Sequence, residues 1–227
     1  MIRTFAAVLL PAVMLSAQPE KPKPMPAPAP TVPAVPARIQ GDMYALASCP
    51  VSGKKLGAMG KPVQKLYDAR EVRFCCDACP PRFEADLAKS VAKLDEQMIK
   101  DQMPHYPLDV CLVDGTKLEG GASVDFIYFN RLVRVHNEAA KAEFLKGPKP
   151  FLAKLDAAVV AKQGAHYPLD HCPVSGDVYG GQMGDPVDVV VANRLIRLCC
   201  KGCKEDLQEN PAKFVAIVDE ASTGKKK

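Results

Sequence analysis

The sequence predicts an α+β protein made of three tandem small units, each with a cysteine turn, a β-hairpin and a C-terminal helix. The first observation is an internal repeat of about 60 residues, which has to be recognised before any fold is assigned. Tyr44 to Cys49 aligns with Tyr106 to Cys111 and with Tyr167 to Cys172. The second observation is a strand-like alternation in each unit that leads into a helix-like run.

Two short apolar arms predict a hairpin in every unit. The arms are Val63 to Tyr67 with Val72 to Phe74, Val124 to Phe129 with Leu132 to Val135, and Val187 to Val191 with Leu195 to Leu198. We expect the turns at Asn130-Arg131 and Asn193-Arg194, since asparagine tolerates the positive φ of a tight hairpin, and at Ala69-Arg70 in the first unit.

A helical stretch follows each hairpin. In the first unit it begins at the first thiol of the cysteine cluster, and Phe83, Leu87, Val91 and Leu94 form one apolar stripe. Proline is unfavourable inside a helix, so Pro148 and Pro211 predict that the helical stretch divides into two short helices.

The composition narrows the possible partners. The 227-residue chain has 30 Lys plus Arg against 26 Asp plus Glu, a net charge of +4. Arg3 and the basic tail Lys225 to Lys227 carry much of that excess. The balanced charge of the rest argues against nucleic acid or an anionic membrane surface as a partner. Units this small bury little apolar surface, so they need a metal, disulfides or neighbouring units for stability.

The N-terminus has the layout of a secretory signal peptide: basic Arg3, the apolar run Phe5 to Leu15, then Ser16-Ala17. The run is too short to span a bilayer and Pro11 interrupts it. We therefore expect export, to the periplasm or as a secreted protein, with no membrane span after signal cleavage; a retained N-terminal anchor is the alternative. Export matters because thiols in an oxidising compartment become disulfides unless a metal or a reducing partner claims them.

These features divide the chain into six parts. The segment after the signal is rich in proline and is expected to form an extended polyproline II tether. The parts are a signal peptide (1–17), a Pro-rich linker (18–40), metal-binding unit 1 (41–100), degenerate unit 2 (101–162), metal-binding unit 3 (163–222) and a basic tail (223–227).

One cysteine motif occurs twice. Val72 to Cys79 recurs as Ile196 to Cys203, and each copy follows a Cys-Pro-Val-Ser-Gly segment. A helix start presents unpaired amides that favour thiolate, the form that binds soft metals. We expect two metal sites, for Zn²⁺ if tetrahedral or for Cu⁺ if two or three thiolates bind. Their ligands are Cys49, Cys75, Cys76 and Cys79, and Cys172, Cys199, Cys200 and Cys203.

Two other uses of these thiols stay open. Each of the two cysteine-rich units could form two disulfides, for instance between Cys49 and Cys79. The CxxC motifs Cys76 to Cys79 and Cys200 to Cys203 are also found in thiol-disulfide oxidoreductases, although these units are short for a thioredoxin-type fold. The chain has no serine, histidine and acid set and no phosphate-binding glycine loop that we could identify, so we expect no enzyme activity.

The middle unit keeps only part of the ligand set. It retains Cys111 but has His136, Asn137 and Ala140 where the other units have three cysteines. Cys111 and His136 are soft-metal ligand types and form a weak third candidate site; a vestigial site with a free thiol is the alternative.

Other repeated side chains lie near the sites in sequence. Met59 and Met183 either offer thioether sulfur or fill gaps. Arg73, Arg134 and Arg197 occupy one position, where they either offset thiolate charge or cover the outer face of the hairpin.

The outer units share one cysteine motif: a first cysteine, a gap, a second cysteine, three residues and a third cysteine. It falls on Cys49, Cys75 and Cys79 in unit 1 and on Cys172, Cys199 and Cys203 in unit 3. With the phrases Arg-Phe-Cys-Cys and Arg-Leu-Cys-Cys, it resembles the TRASH and YHS families of treble-clef-like domains associated with heavy-metal sensing, trafficking and resistance. The resemblance covers about residues 41–222 as three copies, the middle one degenerate. It implies affinity for copper, zinc or similar ions, without enzymatic turnover.

The leading hypothesis is an exported heavy-metal-binding protein that acts in metal trafficking, buffering or sensing. A metal-donor or metal-acceptor protein would be its partner, and Cys76 and Cys200 would serve as fourth ligand or transfer thiol. The alternative is a structural or protein-interaction module stapled by zinc or disulfides, and a thiol-disulfide oxidoreductase comes third.

Overall fold

Three two-stranded antiparallel sheets, each followed by two helices, make up the part of the chain that the structure describes. The structure is a computed structural model and describes residues 41–118, 123–181 and 184–224. The α+β class and the repeated hairpin and helices agree with the sequence prediction. The predicted signal peptide, the Pro-rich linker, Lys225 to Lys227 and Met183 lie outside the described residues.

The elements follow the same order in all three units. The first unit contains β1 (Val63–Tyr67), β2 (Arg70–Phe74), α1 (Cys79–Glu84) and α2 (Leu87–Gln102), then a short 3₁₀ turn (Met103–His105). The second contains β3 (Val124–Tyr128), β4 (Arg131–Val135), α3 (Glu138–Lys146) and α4 (Pro148–Gly164). The third contains β5 (Val187–Val191), β6 (Arg194–Leu198), α5 (Cys203–Glu209) and α6 (Pro211–Gly224).

Each hairpin turn lies one residue earlier than predicted. Tyr67 pairs with Arg70, so the loop consists of Asp68 and Ala69, whose φ angles are 49° and 66°. Positive φ at both central residues is the type I′ turn that matches the twist of paired strands. The equivalent loops are Phe129-Asn130 and Ala192-Asn193. The arginine expected in each turn is instead the first residue of the second strand.

The helical stretch of each unit divides into two helices, as the prolines predict. Pro148 and Pro211 begin α4 and α6, a position where their missing N–H costs nothing. In the first unit Asp86 makes the division, because its side chain accepts a hydrogen bond from Lys89 N at 3.2 Å and caps α2.

The predicted start of the first helix and its single apolar stripe are wrong. Cys75 and Cys76 lie in a bend, and α1 begins at Cys79. Asp86 is not helical and separates α1 from α2, so the four residues do not share one continuous helix: Phe83 and Leu94 are buried whereas Leu87 is exposed.

Every unit has its own apolar core. The middle core is the most aromatic: the Phe144 ring lies 5.5 Å from Phe126, 5.2 Å from Tyr128 and 5.9 Å from Phe151 between centroids. Ala140, which stands where the outer units have a helix-start cysteine, is buried in this core. A buried alanine thus replaces the third thiol of the outer units, within a core whose rings pack around Phe144.

Side-chain amides of two glutamines join each unit to the next. Gln102, at the end of α2, donates to Asn130 O and accepts from Leu132 N, both at 2.8 Å. Gln163 repeats the pattern with Asn193 O at 2.9 Å and Leu195 N at 2.8 Å. These contacts satisfy main-chain groups of the hairpin that would otherwise be buried without partners.

A second repeated contact ties each hairpin to its own long helix. The first residue of the second strand is an arginine, and it pairs with an aspartate: Arg70 with Asp95 at 2.6 Å, Arg131 with Asp156 at 2.6 Å, and Arg194 with Asp219 at 2.9 Å. All described residues belong to one compact unit. None of the helices in the described ranges combines the length and apolar character needed to cross a membrane.

Candidate metal centre

A tight turn presents the first cysteine of each unit. Cys49 N donates to Lys54 O and Gly53 N donates to Cys49 O, both at 2.9 Å, and Gly53 has the positive φ of 69° that the turn requires. Cys111 and Cys172 lie in equivalent turns, with Gly115 N and Gly176 N donating to their carbonyls at 2.9 Å. The turn backbone is therefore the same whether or not the rest of the ligand set is present.

Three thiols meet in the first unit. Cys49 comes from the turn, Cys75 directly follows β2, and Cys79 is the first residue of α1. Their sulfurs lie within 4.8 Å of one another, and all three residues are buried. The Cys75 and Cys79 sulfurs are 3.7 Å apart.

The third unit repeats this group. Cys172, Cys199 and Cys203 are buried with their sulfurs within 4.8 Å of one another, and the Cys199 and Cys203 sulfurs are 3.7 Å apart. The two buried groups of three cysteines could each hold a metal ion.

The sulfur spacing suits coordination to a common centre. A tetrahedral site with metal–sulfur bonds of about 2.3 Å separates its sulfurs by about 3.8 Å, and a trigonal site by about 4.0 Å. Both observed distances of 3.7 Å are close to these values. A disulfide requires about 2.05 Å between sulfurs. All nine cysteines are free thiols in the structure.

Cys76 and Cys200 lie at the more exposed edge of the groups. The Cys76 sulfur is 3.7 Å from Cys79 and 3.9 Å from Cys75, and the Cys200 sulfur is 4.0 Å from Cys203. Adjacent cysteines on a helix would point about 100° apart. Because Cys75 and Cys76 lie in a bend before the helix, their sulfurs come closer than the helical prediction implies.

Hydrogen bonds favour the thiolate form of the turn cysteines. Burial raises the pKa of Cys49, but hydrogen bonds from the Ser52 hydroxyl and from main-chain amides outweigh it and lower the pKa to about 6. At Cys172 burial is likewise outweighed by the amide and hydroxyl of Ser175, and the pKa falls to about 7. A thiolate is thus present in each group near neutral pH.

The pKa values of the helix-start cysteines do not follow the prediction that a helix start favours the thiolate form. Burial and the neighbouring cysteines raise the pKa of Cys79 to about 12, and burial raises that of Cys203. The amides at the helix start act on the residues before the helix instead. They lower the pKa of Cys76, through Ala78 N first, and that of Cys200, through Cys203 N and Gly202 N.

Two serines support the thiol groups and were not predicted from the sequence. Ser52 Oγ lies 3.2 Å from the Cys75 sulfur, and Ser175 Oγ lies 3.3 Å from the Cys199 sulfur. The sequence could have indicated them, because both serines lie in the repeated Cys-Pro-Val-Ser-Gly segment. The tight turn keeps the serine close to the first cysteine of that segment.

The middle unit brings Cys111, Asp114 and His136 within 4.8 Å of one another. His136 Nδ1 is 3.5 Å from the Cys111 sulfur and 3.0 Å from Asp114 Oδ2. The Thr116 amide, then the Cys111 thiol, lower the pKa of Asp114 to about 2. Asp114 was missed in the sequence, although it occupies the position of Ser52 and Ser175.

The methionine and arginine side chains named from the sequence are not part of the thiol groups. Met59 is exposed, with its sulfur 4.0 Å from Lys54 Nζ. Arg134 pairs across the hairpin with Asp125, as Arg197 does with Asp188, so these two cover the outer face, which was one of the two alternatives. Arg73 is buried and does not cover that face.

Comparisons with protein-family models, curated proteins and solved structures gave no match for this chain. The functional inference therefore rests on the thiol geometry.

Proposed function

We propose that this protein binds soft heavy-metal ions through two cysteine sites and acts in metal trafficking, buffering or sensing. The observation that carries the proposal is the repeated group of three buried thiols whose sulfurs are spaced 3.7 Å apart at the helix start. Such spacing suits ligands of one ion. A turn thiolate in each group supplies negative charge before any metal arrives, which lowers the number of protons that binding must release.

The ion is Zn²⁺ or Cu⁺. Three thiolates alone suit Cu⁺, whereas recruitment of Cys76 or Cys200 as a fourth ligand gives the four-sulfur tetrahedron typical of Zn²⁺. The half-buried position of Cys76 also suits a thiol that receives the ion from a donor protein or passes it to an acceptor. We assign the protein no enzymatic turnover.

The proposal extends to the family and the compartment. The order of cysteine turn, hairpin and helix supports a treble-clef-like unit of the TRASH and YHS type. The signal-like residues 1–17 support export to the periplasm or the exterior.

One observation favours a second candidate, a structural module stapled by zinc or disulfides. The thiols belong to the apolar cores of their units, where a bound ion would also stabilise folding. The thiol-disulfide oxidoreductase remains third, supported by the lowered pKa of Cys76 beside Cys79.

Metal content and free thiols, measured on the full chain purified without reductant, test the proposal. We expect at least two ions per chain, one in each outer unit, and rapid exchange of those ions with a competing chelator. No metal together with few free thiols would overturn it in favour of a disulfide scaffold. Ions in the outer units that exchange only when the protein unfolds would favour the structural staple. Insulin reduction that is lost on Cys76→Ser would favour the oxidoreductase.

A further inference from the structure

The middle unit places three different ligand types around one point. Cys111 is fully buried at the base, while Asp114 and His136 are partly exposed above it. Zinc bound to one sulfur and one imidazole nitrogen would hold those atoms about 3.6 Å apart. The observed distance between His136 Nδ1 and the Cys111 sulfur is 3.5 Å. The spacing matches before any movement of the side chains.

We propose that Cys111, Asp114 and His136 form a third metal site, selective for a borderline divalent cation of the Zn²⁺ type rather than for Cu⁺. One thiolate, one imidazole and one carboxylate make a mixed set that such cations accept, whereas Cu⁺ prefers several thiolates. With three protein ligands and exposure at Asp114, the fourth position is open to water. This site stands apart from the two cysteine groups and does not depend on their function.

The carboxylate reaches the site because of the turn that carries it. Asp114 Oδ1 accepts from Thr116 N at 3.0 Å, which leaves Oδ2 directed at His136, 3.0 Å from Nδ1. In the outer units the same turn position holds serine, which contacts Cys75 or Cys199. In the middle unit Asp114 replaces this serine, and His136 replaces the cysteine that the serine contacts. The two replacements are therefore in contact with each other.

The side-chain amide of Asn137 lowers the metal affinity expected of this site. Asn137 Nδ2 lies 2.6 Å from His136 Nε2, and Asn137 Oδ1 accepts from Ala140 N at 2.8 Å. The amide therefore donates to Nε2, which leaves the proton on Nδ1, the atom that faces Cys111 and Asp114. A metal on Nδ1 moves that proton to Nε2, where an acceptor is needed. Asn137 must turn away, so the site is weaker than its ligand set allows.

Asn137→Asp should remove this obstacle. A carboxylate can accept both from Nε2–H and from the Ala140 amide, and it completes the carboxylate–histidine–metal arrangement. Outer partners of this kind change metal affinity by about 10–100-fold. We expect Asn137→Asp to tighten the third site by at least about tenfold.

Co²⁺ binding to the reduced full chain, followed by equilibrium dialysis and by absorption spectra, tests the proposal. We expect His136→Asn and Asp114→Asn each to bind one ion fewer than the unaltered chain. The matched control is His171→Asn, which removes an exposed histidine that is also paired with an aspartate, at 2.7 Å, and should change nothing. The lost ion should carry the spectrum of a single cobalt–thiolate bond.

Equal stoichiometry in the unaltered chain and in His136→Asn would overturn the third site and leave the two cysteine sites standing. Absence of all Co²⁺ from the unaltered chain would overturn the third site, whereas the cysteine sites would be overturned only if Cu⁺ failed to bind as well. If His136→Asn does not fold, Asn137→Asp decides: unchanged affinity for every bound ion would overturn the third site.

Discussion

Arg73 Nη2 donates a hydrogen bond of 2.7 Å to the main-chain carbonyl of Gln208, and so ties the first hairpin to the end of α5 in the third unit. The same guanidinium donates to Glu209 O and to Glu71, whose carboxylate it meets at 2.6 Å. Gln64 lies opposite Arg73, where the other hairpins have an aspartate. Without that partner, Arg73 turns inward. It connects the strand that ends at Phe74, next to Cys75, with the helix that begins at Cys203.

Arg73→Ala should lower the free energy of unfolding by about 3 kcal/mol or more, because it removes the ion-pair partner of the buried Glu71 carboxylate. Arg197→Ala is the matched control. Its partner Asp188 is partly exposed, so the loss should be about 1 kcal/mol or less. Urea unfolding of both variants measures the difference. Equal losses would contradict the prediction, since the burial of the Arg73–Glu71 pair is what distinguishes the two variants.

The two adjacent cysteines should differ in their effect on metal binding. Cys75→Ser removes a buried sulfur of the group, so we expect the metal affinity of the first site to fall by more than about a hundredfold. Cys76→Ser removes a sulfur at the edge and should cost less than about tenfold, while slowing transfer to a chelator. Competition titrations with a chromophoric chelator measure both. A larger loss for Cys76→Ser would reverse the assigned roles.

The thiolate absorbance of the reduced, metal-free protein should rise in steps near the pKa values of about 6 at Cys49 and about 7 at Cys172. The folded pKa values lie below the unfolded value, so the unfolded state binds more protons between them. The stability gained from these thiolates is therefore present above pH 9 and is lost as the pH falls through about 7 and 6. Cys49→Ser should abolish the lower step. A single step at the ordinary thiol pKa of about 8.5 would contradict this.

The repeat made much of this fold predictable. Matching sequence segments located the hairpins, and Pro148 and Pro211 marked the helix breaks. The short helix start was harder, since a bend between Cys75 and Cys79 has no periodicity that distinguishes it from a first helical turn. The turns were misplaced by one residue because a type I′ turn needs positive φ at the residue before asparagine as well, where Phe129 and Ala192 gave no signal.

The candidate sites, like the fold, were predictable only in part. The grouping of Cys49 with Cys75 and Cys79 could be proposed because spacing and repetition both pointed to it. The supporting groups could not, because Ser52 and Asp114 act through the three-dimensional path of the turn. The buried role of Arg73 depends on a partner 135 residues away in the chain, which no local pattern reveals.

Ala69→Gly should stabilise the first hairpin by about 1 kcal/mol, since Ala69 holds a left-handed φ of 66° that glycine adopts without steric cost. Asn193→Gly is the contrasting variant. It keeps the allowed φ but removes the buried side chain that accepts from Arg131 Nε at 2.5 Å, so we expect a loss of about 2 kcal/mol. Thermal unfolding measures both. A loss in Ala69→Gly would contradict the account of the turn.

X-ray absorption at the edge of the bound metal is the measurement closest to the central claim, that turn, strand-end and helix-start sulfurs bind one ion in each outer unit. Protein with both outer sites loaded should show three or four sulfurs at about 2.3 Å around each ion. In protein loaded only at the first site, Cys49→Ser should remove one of those sulfurs. A first shell of oxygen and nitrogen without sulfur would contradict the account.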